Sequence, residues 1–131
     1  MNKMDDEIYY VEDAQEKIEN MEAYYGTLGD GYFLEALNEF KKGKGFGIGY
    51  TSCYFATECT PNDEEYFGDS GVNFTTTPPV TSVEVYAIVD YEMFFEYLVK
   101  VAQEYLSRHS QNVAKVESCL AQIKEKLNLY A

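Results

Sequence analysis

The sequence has no tryptophan, one histidine and three cysteines, and it is short of cations: 10 Lys and Arg stand against 23 Asp and Glu, a formal net charge of −13. Each scarcity excludes something. The single histidine, His109, sits at the edge of a helix turn and reads as a surface or capping residue, not as a general base. The cysteines Cys53, Cys59 and Cys119 are odd in number and form no C-x-x-C pair, so reduced thiols in a reducing compartment are expected. Cys–His catalysis would need a thiol beside His109; Cys119 lies in the next helix, and no motif links the two. The cation deficit repels nucleic acid and anionic lipid, which are themselves densely negative. It would attract a basic partner, although solubility alone also accounts for an acidic surface. No apolar run approaches the roughly 18 residues of a membrane span. The opening MNKMDDEIYY lacks the apolar stretch of a signal peptide, and a cytoplasmic location is expected.

Apolar residues are plentiful. They make up 46% of the 131 residues, and aromatics 16%, with 13 Tyr and 8 Phe. That supports one packed domain over residues 1–131. Ile8, Val11, Ala14, Ile18, Met21 and Tyr25 recur at steps of three and four, which predicts a first helix from Ile8. The glycines of GTLGDG, Gly26 to Gly31, predict a break. Asp30 is the expected N-cap of a second helix carrying Phe33, Leu34, Leu37 and Phe40 and stopping at Gly43. From Gly45 the period becomes two, as in a strand or hairpin through Thr57. VNFTTT and the β-branched run at 80–89 predict two more strands. Asp90 then caps a helix with Phe94, Leu98, Val101, Ala102 and Tyr105 on one face. After a turn at Arg108–Ser110, a last helix carries Val113, Val116, Leu120, Ile123 and Leu127. Grouped strands between helices indicate α+β: an antiparallel sheet of about four strands, flanked by N-terminal helices and a C-terminal helical hairpin.

The segment G-K-G-F-G-I-G-Y, residues 43–50, has glycine at every second position. It is not a phosphate loop. A dinucleotide fingerprint starting at Gly43 would need glycine at Ile48, and Lys44 is followed by Gly45 and a strand, not by Ser/Thr and a helix. Alternation instead leaves one strand face bare at Gly45, Gly47 and Gly49 and crowds Phe46, Ile48 and Tyr50 onto the other. A helix of the same domain is expected to pack on the bare face, with an external partner as the alternative. A calcium loop beginning at Asp63 fails, because Phe67 and Phe74 fall where oxygen ligands are required. No catalytic set, cofactor motif or metal site emerges. The many carboxylate pairs occur by chance in so acidic a chain.

One feature remains. Residues 58–69 form an acidic loop with Glu58, Asp63, Glu64, Glu65 and Asp69, uninterrupted by a cation and with Tyr66 and Phe67 embedded in it. These seven residues are the candidate partner-binding site, since loops on a rigid sheet often carry recognition.

The segments F-L-x-A-L at Phe33–Leu37, G-K-G-F-G-I at Gly43–Ile48, C-Y-F at Cys53–Phe55, E-E-Y-F at Glu64–Phe67, and Y-E-x-F-F-E-Y-L…A-Q-E-Y-L-x-R-H at Tyr91–His109 resemble the CdiI immunity proteins of bacterial contact-dependent growth inhibition. More narrowly, they resemble the ribonuclease-toxin immunity group. The resemblance spans roughly residues 30–127. It implies a non-enzymatic inhibitor in the cytoplasm of the producing cell, forming a 1:1 complex with the C-terminal nuclease domain of its cognate CdiA protein. Such toxins cleave tRNA, some being of the EndoU type. The inhibitor would cover the basic cleft and touch neither nucleic acid nor membrane. The alternative is an acidic adaptor, or a nucleic-acid mimic, that binds another basic protein.

Overall fold

The computed structural model describes residues 8–129; most of the opening segment considered for a leader lies outside them. In chain order the elements are β1 (Ile8–Tyr10), α1 (Ala14–Phe40), β2 (Phe46–Ile48), β3 (Thr51–Phe55), β4 (Val72–Thr76), β5 (Glu84–Val89), α2 (Tyr91–Arg108) and α3 (Val113–Lys126), with single 3₁₀ turns after β3 and before α3. The class is α+β, as expected. The sheet has five strands in the order β1-β5-β4-β3-β2. It is mixed and not purely antiparallel, because β1 runs parallel to β5, with Tyr9 opposite Val85.

The chain entrance therefore differs from the helix expected at Ile8. Ile8–Tyr10 is a strand, and Val11 continues its bonding by donating its N–H to the Tyr86 carbonyl. The helix begins at Ala14, where the Asp13 carboxylate accepts the N–H of Glu16 and satisfies one free donor of the first turn. Nor do the glycines end it. Gly26 and Gly31 stay helical, and only Gly29 leaves, with φ 60° and ψ −175°, a conformation that favours glycine. The result is one kinked helix in place of two. Asp30, expected as a cap, turns its carboxylate to α2 instead.

Downstream the outline matches the periodicities. A hairpin forms from Phe46 to Phe55, and the strand expected through Thr57 ends there, because Ala56–Glu58 is a 3₁₀ turn. Its two-residue loop, Gly49-Tyr50, follows from the pairing of Ile48 with Thr51, and Gly49 supplies the positive φ that the first loop position of such a turn requires. β5 starts at Glu84, four residues later than expected at 80. Asp90 caps α2 by accepting the Met93 N–H at 2.8 Å.

α1 and α2 pack on one face of the sheet, and α3 packs against both helices. Phe40, Phe55, Phe74 and Phe94, contributed by α1, β3, β4 and α2, are fully buried. Phe94 meets the other three with ring centroids 5.3–6.1 Å apart. Tyr24 is buried beside them and donates its hydroxyl to the Phe46 carbonyl at 2.6 Å. This aromatic seam joins the helical layer to the sheet, and each such pair adds about 0.5–1.5 kcal/mol beyond the area it buries.

Candidate functional site

The outer face of the sheet, opposite the helices, carries residues 58–71 across β3, β4 and β5. Of the seven candidate residues, some hold the loop together and others face solvent. Glu58 is exposed, but its carboxylate is engaged by the backbone. Its Oε1 accepts the N–H of Phe55 at 2.7 Å and of Gly45 at 3.0 Å, tying the start of β2 to the end of β3. The Asp63 carboxylate accepts the Thr60 N–H at 2.7 Å and closes a turn. Tyr66 donates its hydroxyl to Asp69 at 2.6 Å, and that bond to a carboxylate raises the Tyr66 pKa. Phe67 folds back onto the sheet and meets the Tyr54 ring edge-on at 5.6 Å. Glu64 and Glu65 stay exposed. The structure thus brings six of the seven together as a built loop and assigns Glu58 to the frame beneath it.

Beside the loop, strand pairing sets up a row that sequence reasoning missed. Tyr10 lies opposite Tyr86, Tyr86 opposite Thr75, Thr75 opposite Ser52, and Ser52 opposite Gly47. The row crosses all five strands on the outer face, and its side chains shrink from tyrosine to nothing. The glycine face is therefore not covered by a helix, contrary to expectation. Gly47 is exposed, while its neighbours Phe46 and Ile48 pack on the helical side. Alternation was visible in the sequence. The decisive signal was that apolar Phe46 and Ile48 must take the core, which sends the glycines outward. Gly45 is the exception. A Cβ there would lie 2.6 Å from Tyr54 Cα and closer still to the Cys53 carbonyl oxygen, so only glycine lets β2 start against β3.

The outer face is also electrically one-sided. No Lys, Arg or His occurs between Lys44 and Lys100, the stretch that supplies four of the five strands and the loop. Burial chiefly raises the pKa of Tyr86, and the nearby carboxylates of Glu84 and Glu65 add to the effect. Tyr54 is raised mainly by burial too. Its hydroxyl donates to the Glu65 carbonyl at 3.2 Å and accepts from Asn73 Nδ2 at 3.0 Å, which fastens the loop to the sheet.

The helical layer is different. Arg108 grips Asp30 with two bonds of 2.9 Å, and His109 Nε2 approaches the same carboxylate at 2.8 Å. The bonds from Arg108 first, then His109, hold the Asp30 pKa down to about 2. His109 also stacks on Tyr105 at 4.6 Å, so it staples α1 to α2. A cavity of about 280 Å³ beside the staple is lined by charges of both signs, including Glu22, Lys100, Glu104 and Arg108. Cys53 and Cys119 are buried thiols, and Cys59 is half-buried. No helix among the described residues is long and apolar enough to cross a membrane.

A family model described as CDI immunity protein matches residues 15–120. The chain belongs to that family. The match covers nearly all of α1, all of α2, the first part of α3 as far as Leu120, and every strand except β1. No curated protein matches the chain. As an immunity protein of contact-dependent growth inhibition, its role is to neutralise a CdiA toxin.

Proposed function

We propose that this immunity protein neutralises a tRNA-cleaving ribonuclease domain at the C-terminus of its cognate CdiA, as a 1:1 complex in the cytoplasm, by covering the toxin's basic cleft and with no catalysis of its own. The observation that carries the reading is the cation-free stretch from Gly45 to Val99, whose loop presents Glu64 and Glu65 to solvent. A nuclease that grips RNA needs a basic cleft. A surface of one negative sign is steered to such a cleft quickly and is repelled by RNA itself. Tyr66 beside the two glutamates supplies the aromatic area that interfaces favour. Asp63, Phe67 and Asp69 shape the loop, and Glu58 anchors its base.

The test is binding kinetics with the cognate CdiA C-terminal domain at two salt concentrations, alongside a growth-protection assay. Glu64→Lys with Glu65→Lys should slow association and flatten its salt dependence while the fold persists. Tyr66→Ala should act on dissociation, costing roughly 1–3 kcal/mol. Wild-type rates and full protection in these variants would move the contact elsewhere, first to the exposed acids of α1. If the wild-type protein ignores the toxin domain but holds a different basic protein stoichiometrically, the acidic-adaptor reading replaces this one.

A further inference from the structure

The row Tyr10–Tyr86–Thr75–Ser52–Gly47 has a use beyond that of the loop. Its ends differ. Tyr10 is 51% exposed and meets Tyr86 edge-on at 5.4 Å. At the other end Gly47 is open and Ser52 half-buried, so two neighbouring strands present almost bare backbone. A bare strand face lets another chain approach closely. Between the ends Thr75 and Tyr86 are buried, so the accessible parts of the row are Tyr10 at one end and Ser52 and Gly47 at the other. The outer-face residues of the strands include no Lys or Arg, and Glu84 and Glu65 stand near Tyr86.

We propose that the CdiA toxin domain docks on this outer sheet face, laying a lysine- or arginine-bearing segment over the bare Ser52–Gly47 end while another part of the same toxin surface covers the exposed Tyr10 ring. The inference rests on the immunity reading and extends its contact from the acidic loop to the adjoining sheet. Charge complementarity selects the occupant: the face offers rings and carboxylates, and a basic segment offers stems and positive charge. A second copy of this chain would bring another cation-free face, which is repulsive.

The experiment titrates the purified cognate CdiA C-terminal domain against the full-length wild-type protein, Ser52→Lys, Gly47→Arg and Tyr10→Ala. Ser118→Lys, the same charge change on an exposed position of α3, is the matched control. Thermal melting of each variant establishes that it is folded. Docking on the sheet face predicts that Ser52→Lys and Gly47→Arg weaken binding at least about tenfold and Tyr10→Ala about tenfold, while Ser118→Lys stays within about twofold. If one variant fails to fold, the others carry the test. Wild-type affinity in all the folded sheet variants overturns the docking face and leaves the immunity role standing. An equal loss in Ser118→Lys would mean a global charge effect and also overturns it. A wild-type protein that does not bind the toxin domain overturns both.

Discussion

In the helical layer some acids meet bases. Arg108 and His109 hold Asp30, and Lys42 lies 3.5 Å from Glu39. In the sheet layer no base is available, and the acids divide into two groups. Glu58 and Asp63 accept backbone N–H groups, and Asp69 accepts the Tyr66 hydroxyl. Glu64 and Glu65 face solvent. Every Lys and Arg among the described residues lies in a helix or just after α1. The same residue types therefore do different work. Charge pairing staples α1 to α2, whereas charge left unpaired on the sheet side forms a field that a basic partner can use. A net charge of −13 does not reveal this division; the placement of the few cations does.

The largest expected effect comes from cutting the seam between the layers. Phe94 is fully buried and touches Phe40, Phe55 and Phe74. Phe94→Ala removes the ring from all three contacts and leaves a cavity, at a cost of about 3–5 kcal/mol. Urea unfolding measures it. A loss under about 1 kcal/mol would mean that the two layers are stable separately, and the comparison would then be between two domains and not two faces.

Next in size is a contrast inside one strand. Gly45 and Gly47 look equivalent in the repeat, but a Cβ at Gly45 would strike the β3 backbone, while at Gly47 the nearest atom would be the Ser52 Cβ at 3.1 Å, with the Thr51 carbonyl oxygen at an ordinary 3.7 Å. Gly45→Ala should cost about 1–3 kcal/mol by forcing β2 away from β3. Gly47→Val should change stability by only about 0.5 kcal/mol in either direction. Equal effects at the two sites would show that the outer face is covered after all.

Which parts were legible follows from the range of the interaction involved. Helical stripes such as Phe94–Leu98–Ala102–Tyr105 are local, and α2 appears where they predict it. β1 was hidden because Ile8 and Val11 satisfy a helical step equally well, and three residues become a strand only by pairing with Val85 and its neighbours far along the chain. Three glycines suggested a break in α1, yet only Gly29 leaves the helical region, since glycine permits a kink without imposing one. Of the candidate site, the acidic character and the embedded aromatics were readable. The bonds of Glu58 to the backbone were not, because nothing local to it shows that the N–H of Gly45, on another strand, needs an acceptor. The row from Tyr10 to Gly47 exists only through strand register, so no single segment carries it.

Glu58 sharpens the comparison on the sheet side. If its carboxylate is a structural acceptor and not part of the contact, Glu58→Ala should destabilise by about 1–2 kcal/mol, because the Phe55 and Gly45 N–H groups lose their partner. The affinity of the folded fraction for the toxin domain should barely change. Glu64→Lys should do the reverse, with unaltered stability and slower association. A Glu58→Ala variant that melts like the wild type but binds weakly would return Glu58 to the interface.

The smallest expected effect lies on the helical side. The bonds from Arg108 and His109 hold Asp30 down to about 2, against an ordinary value of 3.8. A carboxylate whose pKa is lower in the folded protein than in the unfolded chain contributes stability that is complete above the unfolded value. That contribution is lost as pH falls from about 4 towards about 2, where the folded group takes up its proton. The pair is largely open to solvent, and screening keeps its contribution small. Asp30→Asn should therefore lower the melting midpoint slightly at pH 7 and make almost no difference at pH 2. The wild-type and variant melting curves should converge across that window. Because Asp30 lies in the helical layer, away from the cation-free face, toxin binding at neutral pH should be the same for both proteins. A midpoint difference that persists unchanged at pH 2 would mean that the residue acts through the kink at Gly29 and not through its charge. The staple between α1 and α2 would then be a matter of backbone geometry, and the contrast between paired and unpaired acids would rest on the sheet side alone.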